Sequence, residues 1–249
     1  MLHYTQTGNG KTVVLIHGFC EDNTCFDKQV LLLKAHCKVI TPDMPGAGKS
    51  AAQTNTSMET IADSVYELLT QLGETNVVML GHSMGGYITM AFAKKYGHML
   101  QSFGLLHSSA KNDNDERKLK RDQAKEVIKQ KGPAFYARNF IPPLFYEATP
   151  KEVSAPYVNV ADSFSSEGLI EALMAMKNRE DLTHILAETN LPVFLGIGKF
   201  DSLIPEDVML KQSLMCKKSY VAYLSKSAHM GHIEEAELMA QHIIKFITD

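Results

Sequence analysis

The sequence predicts an α/β protein: a mostly parallel, doubly wound sheet with a helical cap inserted after strand six. Three observations predict it. Short β-branched runs alternate with helical patterns, as in sheets covered by helices on both faces. Two runs, Val77-Val78-Met79-Leu80 and Val193-Phe194-Leu195, are unbroken apolar stretches, which is how strands buried on both faces read. From about Lys111 to about Glu180 that rhythm stops, and the chain turns helical and charged with no convincing strand. The expected division is a core of 1–110 and 185–249 and a cap of 111–184.

In chain order, Leu2 to Gln6 and Thr12 to Ile16 are expected to form a hairpin around Gly8-Asn9-Gly10, because Asn-Gly suits a tight turn. Further strands are expected at Lys38 to Thr41, Val77 to Leu80, Phe103 to Leu106, Val193 to Gly196 and Ser219 to Leu224. Thr56 with Glu59 forms a capping-box pattern. After it, Ile61, Val65, Leu68, Leu69 and Leu72 give a helical apolar stripe that Gly73 ends. Met84 to Tyr96 and Glu235 to Phe246 read as two more helices. Within the cap, Leu119, Val127 and Ile128 are spaced as one apolar face of a charged helix, and the charges read as its solvated face. Pro133, Pro142-Pro143, Pro150 and Pro156 break the remainder into short pieces. Such an insertion would sit over the carboxyl ends of the strands, where open α/β sheets bind ligands.

Composition narrows the function. The chain has 249 residues, 45% hydrophobic and 21% charged, with a formal net charge of −3. That weak acidity argues against nucleic acid or an anionic membrane as partner. No cationic segment followed by an apolar one opens the chain, and no run approaches the roughly 18 apolar residues of a membrane span. The expectation is a cytoplasmic soluble protein. Cys20, Cys25, Cys37 and Cys216 show no Cys-x-x-Cys spacing and read as free, packed thiols. Gly48-Lys49-Ser50 looks like the end of a phosphate-binding loop, but Asp43 stands where that loop needs glycine, so no nucleotide site is expected.

The strongest chemical signal is Gly81-His82-Ser83-Met84-Gly85-Gly86, which follows an apolar strand and opens a helix. Gly-x-Ser-x-Gly alone is weak; the strand-turn-helix context makes it specific, since a sharp elbow needs small residues on both sides of the serine. A serine hydroxyl is a poor nucleophile near neutral pH, so Ser83 needs a base, and the base needs a group to orient it. Asp201 follows the strand at Val193 and His229 follows the strand at Ser219, which brings both to the sheet edge of Ser83. His232, three residues past His229, reads instead as a packing or capping residue. The rivals Glu206 and Asp207 fall in a helix, and Asp201 could itself cap that helix. The His229-x-x-His232 spacing has no third ligand near it, so no metal is expected. Oxyanion donors are expected from the backbone N–H groups of Met84 and Phe19, the latter in the loop His17-Gly18-Phe19. His17 reads as a side chain that orients that loop.

Taken together, His17-Gly18-Phe19, Asp43 through Ser50, Gly81 through Gly86, Gly198-Lys199-Phe200-Asp201 and Ala228-His229 through Glu234 resemble the α/β-hydrolase superfamily. The resemblance is to its serine-nucleophile, carboxylesterase-like branch and spans nearly the whole chain apart from the cap. Departures are Ala228, where a glycine is usual, and Ala236, where a proline is common. The resemblance implies Ser83, Asp201 and His229 as catalytic triad, Phe19 and Met84 as oxyanion hole, and no cofactor. It implies cleavage of a small carboxylic ester through an acyl-enzyme. Other triad chemistry, such as carbon–carbon bond hydrolysis or acyl transfer, and ligand binding with little turnover are the alternatives. Cap aromatics are expected in the substrate pocket, with Phe135, Phe140 and Tyr146 as the named candidates.

Overall fold

In a computed structural model that describes residues 1–248, one sheet of seven strands runs in the order β1-β3-β2-β4-β5-β6-β7. The strands are β1 (Tyr4–Thr7), β2 (Thr12–Ile16), β3 (Lys38–Pro42), β4 (Val77–His82), β5 (Leu100–Leu106), β6 (Val193–Gly198) and β7 (Ser219–Leu224). Every neighbouring pair is parallel except β1 with β3, where Tyr4 faces Pro42 and Thr7 faces Val39. The expected β1–β2 hairpin is therefore wrong. The turn at Gly8 and Gly10, both at positive φ, carries the chain past β3 instead. The physical reason is burial: β2 is buried at every residue and takes β3 and β4 as its two parallel neighbours. That leaves β1, half solvated, only the outer edge of β3.

Alternation along the strands divides the core in two. Val14, Ile16, Met79, Phe103 and Leu195 face one side, packing with Leu68 and Leu69 of α2 (Met58–Gln71) and Ile88 of α3 (Met84–Tyr96). Val13, Leu15, Val78, Leu80 and Phe194 face the other, against Leu33 of α1 (Asp27–Leu33) and Met239 and Ile243 of α11 (Ala236–Thr248). Each such side chain contributes roughly 1.5–3 kcal/mol by leaving water. The capping box of α2 lies one residue beyond the expected one: Ser57 accepts from Thr60 N–H, and Thr60 Oγ1 accepts from Ser57 N–H. Thr56 instead reaches Glu171 in the insertion.

Between β5 and β6 lie α4 (Asp115–Lys131), α5 (Pro133–Phe140), α6 (Lys151–Asn159), α7 (Ser166–Asn178) and α8 (Thr183–Glu188). Counted along this chain, the cap follows the fifth strand rather than the sixth. Pro133 opens α5 and Pro156 sits inside α6. On α4, Ile128 is buried as expected, but Leu119 is 57% exposed, so the apolar face is narrower than its spacing implied. After β6 come α9 (Glu206–Met215), then β7, then α10 (Gly231–Glu234) before α11. No helix among the described residues is long and apolar enough to cross a membrane.

Candidate active site

Ser83 stands between β4 and α3 with φ +49° and ψ −114°, a backbone conformation costly for a residue with a Cβ. Its neighbours hold it there. Ser83 N–H donates to the Leu106 carbonyl at 2.9 Å, and its own carbonyl accepts from Gly86 N–H at 2.9 Å and from Ser108 Oγ at 2.6 Å. Glycine is required on both sides. A Cβ on Gly81 would lie 2.1 Å from the Gly85 carbonyl oxygen, and one on Gly85 would lie 2.1 Å from the Ile16 carbonyl oxygen.

Three side chains from three strand ends then meet in line. Asp201 Oδ2 accepts from His229 Nδ1 at 2.8 Å, which fixes the tautomer and leaves Nε2 free to accept from Ser83 Oγ, 2.9 Å away. The other Asp201 oxygen accepts from the N–H groups of Leu203 and Ile204, each at 2.9 Å. Burial opposes charge on Asp201, but His229 and His107 outweigh it and hold the carboxyl well below the usual carboxylate range. Glu206 and Asp207 lie in the first turn of α9, as expected.

Beneath this relay lies a polar layer that the motifs did not announce. His82 Nδ1 faces the Glu21 carboxylate, 2.9 Å from Oε1, and His82 Nε2 faces the His229 carbonyl at 2.9 Å. Both partners are acceptors, so both ring nitrogens carry protons and His82 is an imidazolium. Burial opposes that charge, but Glu21 more than offsets it and raises the His82 pKa. Glu21 is driven well below the usual range by His82 against its own burial. His107, also at positive φ, is buried with Nδ1 3.4 Å from Asp201 Oδ2. There desolvation wins over Asp201 and lowers the His107 pKa to about 4, so this imidazole is neutral.

His232 packs in the same layer, its ring 4.3 Å from His82 and 5.1 Å from Phe26, in the packing role expected of it. Glu21, His82 and His232 bring possible metal ligands within 4.8 Å of one another. Both His82 nitrogens are already engaged, so a cation would have to break the ion pair with Glu21. His17 accepts from Met44 N–H at Nε2 and donates from Nδ1 to the Gly18 carbonyl, which ties the Phe19 loop to the loop after β3. Asp43 gathers the N–H groups of Asn23 and Lys49 and the His3 ring, so the Gly-Lys-Ser turn is a structural knot. Phe19 follows β2 and Met84 opens α3, flanking Ser83. Cys20 is buried, and that burial pushes its thiol pKa up, consistent with packing.

A cavity of about 270 Å³ opens beside Ser83. Phe19, Tyr87, Tyr136, Phe140 and Met176 give it apolar walls. Of the three cap candidates Phe140 lines this cavity, and the other two are not among its lining residues. Phe135 is 43% exposed with Lys131 over its ring, and Tyr146 stacks on Phe200 at 4.1 Å. α4 is largely solvated, as expected, with Ile128 its buried residue, but Arg117, Lys120 and Arg121 also line this cavity.

Residues 11–126 match the family model described as the alpha/beta hydrolase fold. An esterase from Thermogutta terrifontis, solved with malate bound, is 31% identical and superposes with a TM-score of 0.95 over 99% of this chain and 93% of its own. The chain belongs to the α/β-hydrolase family. An esterase from Exiguobacterium antarcticum is 25% identical with a TM-score of 0.91, covering 100% of this chain and 96% of its own. The pimeloyl-[acyl-carrier protein] methyl ester esterase of Vibrio cholerae is 23% identical over 99% of this chain and 98% of its own length. Within this hydrolase, sequence reasoning missed Glu21, His107, Ser108 and the cationic wall. The available signals were a glutamate three residues past Gly18, and cations spaced i, i+3 and i+4 on α4.

Proposed function

We propose that the protein is a serine hydrolase that cleaves a small carboxylic ester through an acyl-enzyme. The observation that carries this reading is the unbroken relay from Ser83 Oγ through both His229 nitrogens to Asp201, with separations of 2.9 and 2.8 Å. His229 Nε2 takes the serine proton as Oγ attacks the carbonyl, and Asp201 stabilises the imidazolium that forms. The negative charge on the carbonyl oxygen is met by the Met84 and Phe19 N–H groups. His229 then protonates the departing alcohol, and a water molecule repeats the sequence on the acyl-enzyme. None of these steps calls on a cofactor or metal. The partner is a small-molecule ester, and two esterases among the relatives support that choice. Four free cysteines fit a reducing cytoplasm.

The test is release of nitrophenolate from p-nitrophenyl acetate and butyrate by wild type and Ser83→Ala. Loss of one member of such a relay lowers turnover by about 10⁴ to 10⁶. Equal rates for the two proteins would remove Ser83 as nucleophile. Turnover of diketones in preference to every ester would move the reading to carbon–carbon bond hydrolysis.

A further inference from the structure

We infer that the natural ester carries a carboxylate, held at the α4 wall of the Ser83 cavity. The inference rests on the ester-hydrolase reading above and names its substrate class. Arg117, Lys120 and Arg121 occupy positions i, i+3 and i+4 of α4, so one helix face turns three cations toward one cavity. The same cavity reaches Ser83. Its other walls are largely apolar, which suits a ligand with a hydrocarbon body and one charged end.

The cations are only partly compensated. Arg121 Nε and Arg179 Nη2 share the buried Asp113, at 2.7 and 2.9 Å. Lys120 pairs with Glu116 at 2.7 Å, but both side chains are about two-thirds exposed or more, at 67% and 71%, and such pairs hold weakly. Among the described residues no carboxylate lies within ion-pair distance of Arg117, although Glu116 acts on it at longer range; its Nη2 donates to the Leu203 carbonyl. A guanidinium offers five N–H donors in a planar fork that matches a carboxylate, so Arg117 keeps donors for a ligand. Of the three cations at this wall, Arg121 shares Asp113 with Arg179 and Lys120 has only an exposed partner, and the cavity residues add no acid of their own. An ester placed with its carbonyl at Ser83 and its free carboxylate on Arg117 fills both ends.

Leu203 also donates its N–H to Asp201, so Arg117 could act as a strut between cap and acid loop. The experiment separates the two roles. Hydrolysis of monomethyl adipate and dimethyl adipate is compared by kcat/KM in wild type and in Arg117→Gln. A hydrogen bond to a charged group corresponds to about a tenfold preference or more. Wild type is therefore expected to prefer the monoester by at least that factor, with the difference mostly in KM. In Arg117→Gln that ratio is expected to fall toward one, whatever happens to the absolute rates; a strut would lower both rates and leave the ratio alone.

Raising the salt concentration should erode the wild-type ratio as well, which keeps the test open if the variant misfolds. Ser83-dependent hydrolysis of both substrates with no preference, or with preference for the diester, overturns the inference and leaves the ester-hydrolase reading standing. If neither is hydrolysed, and neither p-nitrophenyl ester responds to Ser83→Ala, the underlying reading has failed instead.

Discussion

The floor of the site and the outer face of the cap above it hold their polar groups in opposite ways. On the floor, His17, Glu21, Asp43, His82, Asp201 and His229 are each under a tenth exposed, and each is fixed by partners from other elements. In the cap, α6 has no buried residue, and pairs such as Arg138–Asp162 and Lys129–Glu126 lie in water. Beside His229 the two are tied by a few hydrogen bonds. Glu234 accepts from Tyr146 N–H and Thr149 Oγ1 on the cap side and from Ala228 N–H beside His229, while His229 N–H donates to the Leu144 carbonyl. The geometry around Ser83 is over-determined, and the outer face of the cap is not. An unpaired charge is costly only where water cannot reach it, so the floor is closed to change while the cap can vary.

The largest break in that contrast should come from Asp201→Asn. The amide keeps the shape but no longer selects the His229 tautomer that accepts from Ser83. Turnover should fall by about 10⁴-fold with the fold intact, measured as kcat beside a thermal melt. A loss below tenfold would mean that another group, His107 or a backbone carbonyl, orients His229.

Glu21→Gln should come next. It leaves the His82 imidazolium buried without its counter-charge, and breaking one side of a buried pair costs about 3–5 kcal/mol. Urea unfolding reads that loss directly. Turnover should fall as well, because His82 Nε2 donates to the His229 carbonyl and so holds the loop that carries His229. Unchanged stability would show that His82 is neutral and the layer less polar than its geometry implies.

How much of this was legible in the sequence follows the range of the interaction. The elbow was readable because its cause is local: Gly81 and Gly85 clear the backbone on both sides of Ser83 within a few residues. Asp201 and His229 were readable because parallel strands bring their ends to one edge. The partner of β1 was not, since Gly8-Asn9-Gly10 satisfies a hairpin and a crossover equally and only the burial of β2 decides. Leu119 failed for a related reason: three apolar residues define a helix face, but the neighbouring elements decide how much of it is covered. The cation spacing on α4 was visible, yet spacing alone does not distinguish solvent from a cavity.

Acid should also separate the regions. An unfolded histidine takes up its proton near pH 6.5, whereas His107 in the fold does so only near pH 4. Between those values the unfolded chain binds the extra proton, so stability falls as pH drops, by about 3 kcal/mol from this residue. His82, with its raised pKa, acts in the opposite sense: it adds stability below the ordinary histidine value that is lost as pH rises through its folded value. Urea midpoints at pH 7, 5 and 4 should decline in wild type and decline less in His107→Asn. Equal declines would place the acid sensitivity elsewhere.

The smallest effect belongs to the cap. Arg138 Nη2 contacts both Asp162 oxygens, at 2.5 and 2.6 Å, and so joins α5 to the turn at Val160–Ser163. The geometry is good, but the side chains are 50% and 67% exposed. Water and salt screen such a pair, and ordering two long side chains offsets much of its attraction. Arg138→Gln should therefore cost less than about 1 kcal/mol in urea unfolding, and less again at high salt, with p-nitrophenyl butyrate turnover close to wild type. A cost near that of Glu21→Gln would mean that the cap is as tightly determined as the floor, and that its exposed pairs help set the geometry around Ser83.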